Sequence, residues 1–325
     1  MVTVSAFFSP MWTSVPGGNP VFFERFWTSF IDALLVRRFS REVKRSKEPA
    51  FNLGATLLLC AMSWEQEYRV LTTAIREAGA EALRLATEGF QIYTKPDDSP
   101  VTSADHAVND ILMDRLLGHF PHDGWLSEET PDTEARLTKP RVWVIDPIDG
   151  TKAFIRHEPE YCISVALLEG TQPVLAAIFN PSTNELYTAI RGQGLHLNGA
   201  PVPRHESEAD QLPTIALSPW ELHVGRFRSI EPQMTSRPMR SIAWALALAA
   251  RGTIHGVITF EPENEWDVAA GTLLLEEAGG SAHDGAGQLL RYNQPLPRFG
   301  GFIATVQGFP DHLTSQVRRL PRSAP

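Results

Sequence analysis

The chain has 325 residues, 43% hydrophobic and 21% charged, with a net charge of −9 and two cysteines. That length allows one large domain or two smaller ones with a substantial core, and the composition is that of a soluble globular protein. The acidic balance argues against nonspecific nucleic-acid binding and suits a site that gathers carboxylates around cations. Cys60 and Cys162 have no metal-type spacing and suggest no disulfide framework, so a reducing cytoplasm is the default location. No apolar run reaches the roughly 18–20 residues of a membrane span, which argues against stable membrane insertion.

Residues 1–50 mix Phe, Trp and Pro with a basic patch of Arg37, Arg38, Arg41, Lys44, Arg45 and Lys47. Residues 21–36 have helical character, but Glu24, Arg25 and Asp32 interrupt any spanning segment. Residues 51–62 are too short and poorly flanked for a signal peptide. A helix lying on a membrane surface is one reading, with peripheral association as its consequence. The preferred reading makes 1–61 an extension, disordered or arising from a start assigned upstream of Met62, because regular patterning begins only there.

The spacing predicts an amphipathic helix over 65–87, with Val70, Leu71, Ala74, Ile75 and Ala78 on one face. A polar loop over 94–100 leads to a second helix over about 105–117, with Val108, Ile111, Leu112 and Leu116 inward. Residues 124–127 read as a short strand that delivers Glu128 and Glu129. The apolar, β-branched run 141–145 reads as a buried strand. It ends in Asp146-Pro147-Ile148-Asp149-Gly150-Thr151, and a short helix is expected over 151–156. Strand-like runs at 161–168, 173–179 and 185–189, punctuated by Gly170 and Asn180-Pro181, predict an antiparallel meander.

The polar stretch 202–212 is expected to link two halves, 62–205 and 206–325, of one domain spanning 62–325. The second half alternates: strand 214–218, helix 240–250 ending at Gly252, strand 254–260, helix 267–278 ending at Gly279-Gly280, strand 301–305. That alternation predicts helices packed on a sheet. There are no internal repeats and no low-complexity tract.

Acids therefore fall at strand ends and helix starts in four separate segments: Asp105, Glu128-Glu129, Asp146/Asp149 and Asp267. Each alone has a plain reading. Asp105, Asp149 and Asp267 could cap their helices, and the two glutamates could sit in a solvated loop. Gathered in one place, the carboxylates would repel and their pKa values would rise unless cations neutralised them. An oxygen-only ligand set suits hard ions such as Mg²⁺. Two such ions about 4 Å apart would clamp a phosphate, activate a water and stabilise the leaving oxygen. The helix N-terminal amides of Gly150 and Thr151 would bind phosphate oxygens, and a glycine there lets the backbone come close. The ten histidines show no metal-binding spacing, and the scattered tryptophans form no stacking platform for nucleic acid.

The Asp146–Thr151 hexapeptide, Glu128-Glu129 upstream and Trp266-Asp267-Val268-Ala269-Ala270-Gly271 downstream resemble the inositol monophosphatase superfamily, in order and at family-like spacing from about Met62 to the C-terminal region. The resemblance implies a Mg²⁺-dependent, lithium-sensitive phosphomonoesterase acting on a small phosphorylated metabolite, and a layered αβαβα sandwich whose first sheet is largely antiparallel and whose second is mixed. It further implies that Glu128, Asp146 and the Ile148 carbonyl bind a first metal. Asp146 would bridge to a second, completed by Asp149 and Asp267. Asp105 would accept a hydrogen bond from Thr151, and this pair would orient and help deprotonate the attacking water. Glu128 would help position that water, through a third, weaker ion where three are bound. Glu129 would lie behind these ligands. No covalent intermediate is implied, and family members are commonly homodimers.

Residues 94–102, 149–155 and Leu290-Arg291-Tyr292-Asn293 look more like the bacterial 3'(2'),5'-bisphosphate nucleotidase branch, whose substrate is adenosine 3',5'-bisphosphate. Lys95 and Lys152 would offer charge to a second phosphate. Against that branch, 178–181 and 195–199 look generic for the superfamily. Glu261, Glu263 and Glu265 lie where the family's inositol-contacting Glu is found, with Glu265 taken as the candidate substrate contact. Inositol 1-phosphatase and histidinol-phosphate phosphatase are the alternatives within the superfamily. A non-catalytic regulatory module on the same fold is the alternative of another class, and the presence of every expected ligand weighs against it.

Overall fold

A computed structural model describes residues 64–204 and 212–320. The expected N-terminal extension, its basic patch and membrane-surface helix lie outside these residues, as do 205–211 of the expected linker. Among the described residues no helix is long and apolar enough to cross a membrane.

Helix α1 (Glu65–Glu88) buries Leu71, Ala74, Ile75, Ala78 and Ala82, the stripe that its periodicity predicts. Strands β1 (Ile92–Thr94) and β2 (Pro100–Thr102) flank the polar loop expected over 94–100 and pair as a small hairpin. Two three-residue strands, one of them exposed along its length, leave no alternating pattern to read. Helix α2 (Ser103–His119) follows without a gap, started by a capping box between Thr102 and Asp105.

The first sheet runs in chain order: β3 (Gly124–Ser127), β4 (Arg141–Asp149), β5 (Cys162–Glu169), β6 (Gln172–Asn180), β7 (Glu185–Ile190), β8 (Leu195–Leu197) and β9 (Ala200–Pro201). β3 and β4 pair in parallel, and every later pair is antiparallel. Helix α3 (Thr151–Ile155) joins β4 to β5. Both faces of the central strands are buried, so they read as continuous apolar runs. Trp143, Ile145, Ile163, Val165 and Ala177 pack against α1 and α2 on one side.

The second sheet has the order β11-β10-β12-β16-β14. It is built from β10 (Thr214–Leu217), β11 (Thr235–Pro238), β12 (Gly256–Thr259), β14 (Ser281–Asp284) and β16 (Phe302–Thr305). β10 pairs in parallel with both β11 and β12, whereas β16 runs antiparallel to β12 and β14, so the sheet is mixed. Short strands β13 (Glu263–Asn264) and β15 (Arg298–Phe299) pair with each other. Helix α4 (Pro219–Val224) follows β10, α5 (Ile242–Ala250) follows β11, α6 (Glu265–Glu277) follows β13, and α7 (Asp311–Arg318) closes the described chain.

Helices α5 and α6 share one core with Val142, Val144, Ala176 and Ile178 of the first sheet and with Ala216, Val257, Ala282 and Ala304 of the second. The opposite face of the second sheet, through Ile215, Leu217, Ile258 and Ile303, packs on Phe227, Leu313 and Val317. The layers are therefore α1/α2, sheet, α5/α6, sheet, and an outer layer with α7: the αβαβα sandwich. Helices α5 and α6 are apolar nearly all round because they are covered on both sides. Each fully buried Leu, Ile or Val contributes about 2 kcal/mol.

Two boundaries differ in ways that matter for the site. β4 continues past Ile145 to Asp149, with a register shift against β5 between Asp146 and Asp149. Pro147 cannot donate to the ladder, and the irregularity turns both acids toward the start of α6. Helix α6 begins at Glu265, two residues before Asp267, so Asp267 lies inside the first turn.

Candidate active site

Carboxylate oxygens of Asp146, Asp149 and Asp267 all lie within 4.8 Å of one another. The first two come from the irregular end of β4 and the third from the first turn of α6. Asp146 is 1% exposed, and its Oδ1 has no hydrogen-bond partner. Burial, reinforced by Glu128, Asp149, Asp267 and Asp105, holds its carboxyl well above the usual range. Burial also raises Asp149, to about 7, against the lowering effect of its bond from Ser241. Asp267 is raised well above the ordinary value by burial and then by Asp149 and Glu128. An orphaned oxygen inside a cluster of like charges is costly without a counter-charge.

Two of these acids have one oxygen fixed by a helix start. Asp149 Oδ2 accepts from Ser241 Oγ (2.7 Å) and from the Ala243 amide (2.6 Å) at the N-terminus of α5. Asp267 Oδ2 accepts from the Asn264 amide at 3.0 Å. The plain reading that these acids cap their own helices holds in part: Asp105 and Asp267 are the N3 members of capping boxes, whereas Asp149 is not a cap of α3. Asn264 is the N-cap of α6 and Thr102 that of α2, with Asp267 and Asp105 three residues further on. Asp149 contacts a different helix, α5, while Gly150 is the N-cap of α3. Ser241 was not singled out beforehand, although a serine before the apolar run 242–250 is an N-cap signal.

Asp105 is almost fully buried, and burial raises its carboxyl. Its Oδ2 accepts from the Thr102 amide (2.8 Å) and the Thr102 hydroxyl (2.6 Å), which leaves Oδ1 to accept from Thr151 Oγ1 at 3.2 Å. Thr151 Oγ1 also lies 3.1 Å from the Ile148 carbonyl oxygen. A hydroxyl has one proton, so these two acceptors share it. Gly150 sits at φ +96°, and a Cβ there would meet the Glu160 carbonyl oxygen at 2.9 Å. Both facts require glycine at this turn.

The remaining expected residues are placed less centrally. Glu128, at the end of β3, lies near enough to raise Asp146, but it is outside the three-aspartate group. Its Oε1 accepts from Lys95 Nζ at 2.6 Å, and so does Glu129 Oε1, also at 2.6 Å. Lys152 is exposed on α3. Glu265 is fully buried, and its two oxygens accept from the backbone amides of Asn293 (2.6 Å) and Gln294 (2.9 Å). The expectation that Glu265 contacts substrate is therefore corrected: its carboxylate is consumed in holding the 293–294 loop. Arg136, which sequence reasoning passed over, grips the same loop through the Asn293 side chain and the Gln294 carbonyl. Tyr292 of the Leu-Arg-Tyr-Asn segment is buried and donates to Thr272, while Arg291 beside it is exposed.

A sequence profile described as the inositol monophosphatase family matches residues 63–319. An inositol monophosphatase of Mesembryanthemum crystallinum is 33% identical over 236 residues, which span 67% of this chain and 86% of the relative. The 3'(2'),5'-bisphosphate nucleotidase CysQ of Escherichia coli is 31% identical over 222 residues, spanning 67% and 90%. Among solved structures, the extragenic suppressor protein suhB of Bartonella henselae superposes with a TM-score of 0.68 at 26% identity, covering 78% of this chain and 98% of that one. The chain belongs to the inositol monophosphatase family.

As an inositol monophosphatase family member it is a phosphatase that hydrolyses phosphate monoesters, and the family depends on metal ions. The residues present fit that requirement. The ligand set is all oxygen, Asp146 Oδ1 is unpartnered, and the three aspartates are close enough to share cations.

Removal of metal has a measurable consequence for this family member. A carboxyl with a raised folded pKa adds cost to the folded state when ionised, and that cost is relieved as pH falls through the folded value. With Asp149 at about 7, unfolding in EDTA is expected to require about 1 kcal/mol more at pH 6 than at pH 8, raising the melting temperature by roughly 3 °C. Millimolar Mg²⁺ should raise the pH 8 value and flatten the difference. A pH-independent melting temperature in EDTA would contradict a strained carboxylate cluster.

Proposed function

We propose that this phosphatase uses Mg²⁺ held by Asp146, Asp149 and Asp267, with Glu128 and the Ile148 carbonyl completing the ligand set, to hydrolyse a bisphosphorylated nucleotide of the adenosine 3',5'-bisphosphate type. The observation that carries the metal reading is the buried, unpartnered Asp146 Oδ1 between two further aspartates. Divalent ions there would neutralise the carboxylates and supply positive charge to the phosphoryl group and to an attacking water.

The chain's own residues supply the rest. Asp105, locked through Oδ2 by Thr102, presents Oδ1 to Thr151. When the Thr151 proton is directed to Asp105, the Ile148 carbonyl is left free and Thr151 Oγ1 can accept a proton from water, so that proton abstraction is relayed to a buried carboxylate. The Gly150 and Thr151 amides at the start of α3 would receive phosphate oxygens.

The choice of ester rests on less. The similarity to E. coli CysQ spans 90% of that nucleotidase, and Lys152 extends from α3 one residue beyond Thr151 as an exposed charge for a second phosphate. Inositol 1-phosphate is the competing reading, favoured by the 33% identity to the plant enzyme. Each glutamate in the region expected to contact polyol hydroxyls has a partner within the fold. Glu265 is spent on the 293–294 loop, Glu261 pairs with Arg226 at 3.0 Å, and Glu263 accepts from Thr259 at 3.0 Å.

A phosphate-release panel with Mg²⁺, with and without lithium, separates these substrates. Among adenosine 3',5'-bisphosphate, inositol 1-phosphate, histidinol phosphate and fructose 1,6-bisphosphate, the first should give the highest kcat/KM, and lithium should inhibit. A preference for inositol 1-phosphate or histidinol phosphate would replace the nucleotide reading without touching the metal site.

A further inference from the structure

Seven carboxylates face or border the site: Asp105, Glu128, Glu129, Asp146, Asp149, Glu263 and Asp267. Among the described residues, the cation ion-paired to any of them is Lys95, whose Nζ lies 2.6 Å from oxygens of both Glu128 and Glu129. The pair is not a solvated surface contact. The Glu129 side chain is 5% exposed and that of Lys95 19%. At such a distance the ammonium and a divalent cation cannot both sit against the same Glu128 oxygen without strong repulsion, since the interaction scales with the product of the charges and inversely with distance.

The lysine is carried by a short, partly exposed hairpin. It follows β1 directly, in the loop that closes the β1–β2 hairpin, where its amide donates to the Ser99 carbonyl at 2.8 Å and its own carbonyl accepts from the Asp98 amide at 3.0 Å. The hairpin has three residue pairs, and β1 is exposed throughout. A two-stranded ribbon of this size has little stability of its own. β2, by contrast, runs straight into Thr102, which fixes Asp105. The lysine thus sits in the loop at the tip of a short ribbon whose second strand runs into the site.

We propose that Lys95 is a tethered counter-ion that competes with divalent cations for Glu128 and Glu129, so that loading the metal site requires its ammonium to withdraw. It stabilises the carboxylates before the metal arrives and sets a threshold on the cation concentration at which the site fills. This rests on the metal-site reading above, and it assigns Lys95 to the metal side of the site, away from the second-phosphate contact expected from sequence.

The test is calorimetric titration of EDTA-stripped full-length protein with Mg²⁺, comparing wild type, Lys95→Met, Lys95→Gln and Lys95→Arg. The two neutral variants should bind Mg²⁺ about tenfold more tightly and melt at lower temperature in EDTA, while Lys95→Arg should stay within about twofold of wild type. Unchanged or weaker Mg²⁺ affinity in both neutral variants overturns the proposal. So does an increase in KM for adenosine 3',5'-bisphosphate with Mg²⁺ affinity unaltered, which would mark Lys95 as a substrate contact. Mg²⁺ uptake by no variant, wild type included, would remove the metal-site reading together with this one, whereas uptake by wild type with unaltered affinity in the neutral variants removes this one alone.

Discussion

Asp146→Asn is expected to lower kcat by about a thousandfold and, at the same time, to raise the melting temperature of the protein in EDTA. The two effects have one cause. Asp146 is buried, its Oδ1 is unpartnered, and Glu128, Asp149, Asp267 and Asp105 all disfavour its charge. A neutral amide of the same shape removes that repulsion from the folded state and removes the central carboxylate of the proposed metal site. A thousandfold loss corresponds to about 4 kcal/mol of transition-state stabilisation. A carboxylate that served only packing would behave the other way: its replacement would leave activity near normal and lower the melting temperature. Steady-state kinetics and a thermal scan on one preparation distinguish the two. Activity within tenfold of wild type would remove Asp146 from the chemistry.

The second large effect is expected at Thr151. Thr151→Val preserves the branched shape but deletes the hydroxyl that bridges Asp105 Oδ1 and the Ile148 carbonyl. Loss of a positioned proton acceptor should reduce kcat by about 10²–10³ with KM little changed. Mg²⁺ affinity by calorimetry should stay within about twofold, because the aspartates are untouched. Thr151→Ser should recover most of the rate, since the hydroxyl and its Asp105 bond return. A KM effect without a kcat effect would make Thr151 a phosphate contact alone. Equal losses in the valine and serine variants would make its role one of helix geometry.

Much of this site was readable along the chain because its acids fall at element boundaries, and boundaries carry local signals. The apolar run 141–145 announces a buried strand, and Asp146 and Asp149 leave its end. The glycine at 150 is required by a positive φ and by the nearness of the Glu160 carbonyl. Thr102 and Asp105 stand in the Thr-x-x-Asp spacing of a capping box, a pattern visible in sequence though its meaning for Asp105 was not. The helices expected over 65–87 and about 105–117, which run over 65–88 and 103–119, and the antiparallel meander followed from periodicity and turn residues.

What escaped depends on contacts between segments far apart in the chain. The hairpin that carries Lys95, and the strands β8, β9, β11 and β14, are too short for a periodic pattern. Ser241 lies 92 residues from the aspartate it holds. Glu265 resembles a substrate ligand by position, yet a loop 28 residues downstream takes up its carboxylate. Lys95 is 33 residues from Glu128, and nothing in their spacing says whether that lysine meets a phosphate or a glutamate.

Residue chemistry and local periodicity thus gave the main helices, the meander and an acid-rich site suited to cations, because strand ends, helix starts and oxygen ligands are local properties, while the layered fold and the phosphate-ester reaction were implied by the resemblance of the motifs to a known family. Which oxygen of each carboxylate is free, and which charge neutralises which, was decided by the packing of the layers. Partner choice inside a protein is a competition among all groups within a few ångströms, and only the folded chain brings those groups together.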